Sequence, residues 1–217
     1  MRVSDRSPRA NSKKTTHKNF KRGGSGRPAF FLKAEYAIPM IYEDFKQLCQ
    51  TRRSIRYFDD APIAKEDILK ILDTARLAPS VENLQPWHFH VVLNKELLRK
   101  LMADSCYGNF VEGAGAFVVV TVNHSLENKA KEPVWNPREL EYSCMGAMTN
   151  MLHAATAIGL GSCWVSLNKG DVHALLGLPT YETVVGGVML GHYRKNEDKP
   201  SSEHQRKPLT EMFTLHE

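Results

Sequence analysis

The 217-residue sequence predicts a single layered domain of mixed helices and strands, of α/β or α+β class. Two observations carry that expectation. From about Tyr42 onward, apolar runs of strand length alternate with stretches of helical periodicity. The composition, 42% hydrophobic and 24% charged, is ordinary for a globular chain, and the length suits one domain with a sizeable core.

The ordered region is expected to start near residue 40. The first 30 residues are rich in Ser, Lys, Arg and Gly, with almost no aliphatic side chain before Phe30. Such a segment cannot bury enough surface to offset the entropy of ordering it, so residues 1–39 read as a disordered basic tail and 40–217 as the domain. Charge divides the same way. The tail carries a net +8 and the remainder a net −3, so the overall +5 belongs to the tail. Phe30-Phe31-Leu32 is too short for the apolar stretch of a secretory signal. The expectation is a solvated tail, or upstream sequence ahead of a start at Met40. Charge alone could attract nucleic acid to it, but no nucleic-acid partner is expected. No run approaches the roughly 20 apolar residues of a membrane span. Four widely spaced cysteines, Cys49, Cys106, Cys144 and Cys163, form no CxxC pair and read as small core side chains in a reducing compartment. A cytoplasmic location follows as an expectation.

The elements follow in order. Residues 42–50 suit a short helix with Phe45 and Leu48 facing inward. Ile68, Ile71, Leu72 and Ala75 sit at the spacing of an amphipathic helix after Pro62, with Pro79 expected to stop it. Residues 88–93 suit a strand and 95–102 a helix. The run 116–122 is apolar throughout, as a strand covered on both faces should be. Over 138–158, Met145, Met148, Met151, Leu152, Ala155 and Ile158 mark one face, while Gly146, Ala147 and Ala154 extend the small or apolar character around it. A helix apolar on most sides is buried in a core or against another subunit. Gly159 is placed to cap it. A strand over 162–167, a helix over 169–176 and a strand over 183–190 complete the pattern.

Several segments could carry chemistry. Arg52-Arg53-Ser54-Ile55-Arg56 gathers three guanidiniums and a hydroxyl, donors suited to phosphate. By itself it reads rather as the solvated basic end of the first helix. Pro79-Ser80-Val81-Glu82-Asn83-Leu84-Gln85-Pro86-Trp87 is a proline-bracketed loop whose amides could meet the edge of a flat heterocycle, or whose Ser80 and Asn83 could satisfy their own turn. Gly159-Leu160-Gly161-Ser162 follows a helix, which is the wrong context for a dinucleotide fingerprint. His88 and His90 share one strand face, but no third ligand stands near them in sequence, so no metal site is expected. Arg206-Lys207-Pro208-Leu209 reads alone as a solvated loop. No nucleophile elbow or paired-carboxylate arrangement supports hydrolysis.

In this order the pieces resemble the flavin-dependent nitroreductase family. RRSIRYFDD at 52–60 is similar to its opening RRSxRxF motif, and APSVENLQPWHFHVV at 78–92 to its A-P-S-x-x-N-x-Q-P-W-x-F element. AATAIGLGSCWVS at 154–166 looks like its helix–GLG–strand segment, and GGVMLGH followed by RKPL like its last strand and basic C-terminal motif. The resemblance implies an α+β, three-layer fold with a central, mainly antiparallel sheet flanked by helices. It also implies a homodimer holding one FMN per subunit at the interface. Carried over by position, Arg52, Ser54 and Arg206 would hold the FMN phosphate, with Arg53 near the phosphate and ribityl chain. Arg56 would approach the ribityl or pyrimidine side and stabilise negative charge on the reduced ring. Asn83 would bond the pyrimidine edge, and Pro79 and Ser80 would lie in the partner-chain wall. Trp164, Val165 and Ser166 would run along the ring. Two departures stand out. Ser166 and Leu167 replace an acidic residue and glycine common in the family, and His204 stands where a further cation is frequent, with Lys207 as the substitute.

The implied activity is ping-pong reduction. NAD(P)H would give hydride to flavin N5, and a nitroaromatic, quinone or similar flat small molecule would then accept it. No side chain is expected to act as an essential acid or base. Alternatives are a specialised flavin enzyme of dehalogenase or flavin-modifying type, for which residues 104–115 leave little room for a lid, or a non-catalytic flavin-binding protein.

Overall fold

The computed structural model describes residues 42–103, 113–132, 136, 138–193 and 206–216, with residues 169 and 170 described by their backbone alone. The basic tail, the start at Met40, the lid region 104–112, Cys106 and His204 therefore lie outside the described residues.

Five helices and four strands occur among them. They are α1 (Tyr42–Thr51), α2 (Lys65–Ala75), β1 (Trp87–Val92), α3 (Lys95–Ala103), β2 (Ala116–Asn123), α4 (Glu139–Ala157), β3 (Gly161–Val165), α5 (Lys169–Leu176) and β4 (Glu182–Gly191). Every strand pairing is antiparallel, and the sheet order is β1-β2-β4-β3. The sheet is thus the middle layer of an α+β fold, as expected. β2 sits inside it and is buried from Ala116 to Val122.

Strand alternation divides the apolar side chains between two cores. On one face, Val118, Val120, Val122, Val188 and Leu190 pack with Ile68 and Ile71 of α2 and with Leu140, Met148, Met151 and Ala155 of α4. On the other, Phe117, Val119, Val184 and Met189 pack with Leu98 and Leu101 of α3 and Val172 of α5. One irregularity breaks the alternation. Val120 pairs with Gly186, but the next residue, Thr121, pairs with Val184, so β4 carries an extra residue. Val185 packs towards the first core while Val184 lies in the second. This bulge turns the beginning of β4 over.

Two local expectations, for Phe45 and Pro79, need correction. Phe45 is not inward-facing: α1 buries no residue within the chain, and Phe45 is 49% exposed. Met145 and Ile158 are likewise exposed on or beside α4, although the rest of the expected stripe is buried. Pro79 does not stop α2, which ends at Ala75, with Arg76 as its C-cap. Gly159 does end α4 in the left-handed conformation, at φ +80°.

Candidate functional site

The chain leaves α1 at Thr51 and runs straight onto β3. Ser54 forms a parallel bridge with Ser162, and the Ile55 N–H donates to the Ser162 carbonyl at 2.9 Å. Gly161 permits this approach, because a Cβ there would meet Ile55 Cγ2 at 2.9 Å. Ile55 is buried and acts as the anchor, so the polar residues on either side of it are held at the β3 surface. Arg52 and Arg53 are half-buried, while Ser54 and Arg56 are exposed. One Arg56 N–H donates to the Ser54 carbonyl at 3.4 Å.

The electrostatics of neighbouring groups record the cluster. Burial raises the Cys163 thiol, opposed by the Arg56 charge, the Ser54 hydroxyl bonded to it and the Arg52 charge. Burial lowers the His153 imidazole on α4, and the Arg52 charge lowers it further. On β3 itself, the Ser162 hydroxyl oxygen is buried without a hydrogen-bond partner among the described residues. A buried polar atom left unpaired costs about 1–3 kcal/mol. The segment 52–56 therefore presents positive charge and the Ser54 hydroxyl at β3, a donor set that fits an anionic group such as a phosphate.

The loop 79–87 is separately braced. The Val81 N–H donates to Ser143 Oγ of α4 at 3.2 Å, and the Gln85 N–H donates to Ser80 Oγ at 3.0 Å. The Glu82 carboxylate accepts the N–H groups of Lys131 and Glu132 at 2.5 and 2.8 Å. Glu82, Asn83 and Gln85 all adopt positive φ, at +44°, +56° and +48°. Each such non-glycine residue stores of order 1–3 kcal/mol, and strain of this kind gathers at ligand-clamping segments. Ser80 thus serves its own turn. Asn83 is exposed, with its amide oxygen 3.2 Å from Gln85 Nε2.

The two segments meet different parts of α4. The loop bonds to Ser143, whereas α1 reaches His153 through Phe45, with ring centroids 6.2 Å apart. Ten helical residues separate these points by roughly 15 Å, so only an elongated ligand could engage both within one chain. Of the remaining expected residues, Trp164 is half-buried and Ser166 exposed. Val165 has its side chain in the second core, which leaves only its backbone for a ligand. Pro79, Arg206 and Lys207 are exposed.

Residues 49–192 match the nitroreductase family. The chain belongs to the nitroreductase family. Its enzyme class is accordingly oxidoreductase, as expected. A relative from Archaeoglobus fulgidus, provisionally named an NADH dehydrogenase/NAD(P)H nitroreductase, is 36% identical over 161 residues, covering 72% of this chain and 89% of the relative. The crystal structure of a provisionally named nitroreductase from Desulfovibrio desulfuricans in complex with FMN superposes with a TM-score of 0.66 at 27% identity, covering 79% of this chain and 96% of that one. The 5,6-dimethylbenzimidazole synthase of Rhodospirillum rubrum is 28% identical over 188 residues, covering 76% of this chain and 89% of the synthase. Nitroreductase-family membership thus fixes the fold and the enzyme class and leaves the acceptor open.

A second polar cluster was missed by sequence reasoning. His88 Nδ1 lies 3.1 Å from Glu182 Oε1, and His90 Nε2 lies 2.9 Å from Glu182 Oε2. Thr121 Oγ1 donates to Glu182 Oε2 at 2.6 Å. Burial raises the Glu182 carboxyl, but the Thr121 and His90 hydrogen bonds and the charges of His88 and His90 outweigh it, so the net shift is downward. The third partner that His88 and His90 lack locally comes from more than 90 residues away.

Proposed function

We propose that this protein is an NAD(P)H-dependent flavin oxidoreductase that holds FMN along β3 and passes electrons in pairs to flat acceptors, nitroaromatics and quinones among them. The observation that carries the reading is the convergence of Arg52, Ser54 and Arg56 on β3 around Cys163. Bound FMN would supply the hydride chemistry that no side chain of the chain provides. Arg52 and Ser54, with Arg53 beside them and Arg206 and Lys207 from the C-terminal segment, would neutralise and orient the phosphate. Arg56 would favour negative charge on the ring system. Asn83 would bond the pyrimidine edge, Trp164, Val165 and Ser166 would flank the ring, and Pro79 and Ser80 would wall the pocket of a second subunit. Donor and acceptor would occupy the same face of the site in turn.

A homodimer is part of this proposal. Tyr42, Phe45, Tyr142 and Met145 are exposed large apolar side chains on α1 and α4, and Leu209, Met212, Phe213 and Leu215 are exposed along 206–216. Apolar exposure on this scale marks surfaces that another chain covers.

The absorption spectrum of the purified protein tests the core claim, with NAD(P)H oxidation in the presence of menadione or nitrofurazone as the activity assay. A colourless protein that cannot be reconstituted with FMN would overturn the flavin reading. FMN-loaded protein that turns over neither acceptor would overturn the reductase reading. The similarity to a protein named for a synthase rather than a reductase activity supports a second reading, a specialised enzyme of the family such as a flavin-modifying one. Loss of the flavin spectrum during incubation with NADPH and oxygen would favour it.

A further inference from the structure

We infer that His88, His90 and Glu182 form a binding site for a divalent transition-metal ion of zinc type, on the β1 side of the sheet, away from the β3 strand that the 52–56 segment joins. One ligand atom from each of the three residues can be chosen so that all lie within 4.8 Å of one another. Their identities, two imidazoles and a carboxylate, suit Zn²⁺, which takes nitrogen at about 2.0–2.1 Å and carboxylate oxygen at about 2.0–2.2 Å. Tetrahedral coordination at those lengths separates ligand atoms by about 3.3 Å. The nitrogen–oxygen distances here, 3.1 Å from His88 to one Glu182 oxygen and 2.9 Å from His90 to the other, are close to that value. Coordination requires the three ligand atoms, which lie within 4.8 Å of one another, to draw in by up to about 1.5 Å around one ion, which takes the place of the shared protons; these pass to solvent.

The site is built from the backbone upward. His88 and His90 alternate with Trp87 and Phe89, so their rings leave the same face of β1 and stack with centroids 4.4 Å apart. The bulge at Val120/Thr121 turns Glu182 onto that face together with Val184. Without it, the strict alternation of β4 would point Glu182 to the opposite side of the sheet. Glu182 is only 4% exposed, so its carboxylate is committed to this cluster, and Thr121 fixes one of its oxygens from behind. Such supporting bonds orient the ligands of metal sites. His88 is exposed, which leaves a coordination position open to water. The bound ion would tie the edge strand β1 to the start of β4 across β2.

The test uses the full chain, stripped with a chelator and titrated with Zn²⁺ against a chromophoric competitor, with Co²⁺ as an optical probe. The expected result is one ion per chain, a raised melting temperature on zinc addition, and visible Co²⁺ bands of a four-coordinate site. Glu182→Gln and His90→Ala should abolish stoichiometric uptake, and Thr121→Val should weaken it about 10–100-fold. His88→Ala, an exposed position, separates loss of metal from loss of fold: it should retain the melting temperature of the metal-free parent and lose the zinc-dependent rise. Absence of zinc uptake, or uptake equal in the parent and in these variants, would overturn the site and leave a hydrogen-bonded network only. FMN content is read in the same samples, so failure of the flavin proposal is seen independently.

Discussion

At the scale of single residues, charge and burial decide behaviour. Arg52 is half-buried beside β3, and each charge-assisted hydrogen bond to a phosphate contributes about 1.5–3 kcal/mol. Arg52→Ala is therefore expected to weaken FMN binding roughly tenfold to a hundredfold, measured by quenching of FMN fluorescence. An unchanged affinity would remove Arg52 from the phosphate site. Cys144 presents a different case. Burial, with a smaller contribution from the Glu141 charge, pushes its thiol up to about 12 from an ordinary 9.0. A raised pKa means that the folded state holds the proton more tightly than the unfolded one. The associated stability is complete below about pH 9 and is lost as pH rises towards 12. Urea denaturation between pH 8 and 11 (a range chosen to straddle the ordinary thiol pKa) should show stability falling with pH, and Cys144→Ala should flatten that fall. Iodoacetamide at neutral pH should spare Cys144 in the folded protein, because the thiolate is the reactive form.

At the scale of elements, close approach and backbone strain position the site. Gly161 lets the 52–56 segment lie on β3, with an added Cβ only 2.9 Å from Ile55 Cγ2. Gly161→Ala should cost about 1–3 kcal/mol by overpacking. It should also loosen FMN, because the arginines move with the segment. Thermal denaturation and FMN titration of one sample check both effects, and a variant equal to the parent in both would show that the contact is unimportant. The loop 79–87 gives a complementary case. Asn83 stands at φ +56°, a conformation that glycine adopts freely. Asn83→Gly should leave stability within about 1 kcal/mol of the parent while reducing FMN affinity, since the backbone is relieved and the amide removed. Equal FMN affinity would withdraw Asn83 from the pyrimidine edge.

At the scale of the whole molecule, the proposed homodimer would cover the exposed apolar surface. Leu209 and Leu215 are 73% and 71% exposed in the single chain, and α4 carries Met145 outward. Light scattering after gel filtration should give twice the chain mass. Truncation after residue 205 or Met145→Glu should lower both the dimer fraction and the bound FMN. A parent protein that elutes as a monomer with full flavin content would refute the dimer. No helix among the described residues is long and apolar enough to cross a membrane.

The sequence by itself determined the alternation of elements, the buried β2 strand, the cap at Gly159 and the family, because these rest on local periodicity, turn chemistry and short ordered motifs. Taken alone, the arginine segment left open a phosphate cradle or a solvated helix end. Only the packing of Ile55 against Gly161, more than 100 residues away, settles where those arginines stand. Sequence reasoning misjudged Phe45, since periodicity marks an apolar face without saying whether the same chain covers it; for Met145 and Ile158 it left open whether the core or another subunit covers them. It could not find Glu182 at all. Strand alternation sets that residue on the opposite face, and a one-residue bulge, a product of tertiary pairing, brings it round to His88 and His90. The arginine segment and the histidine pair were both legible as residues; what each touches was decided by the sheet.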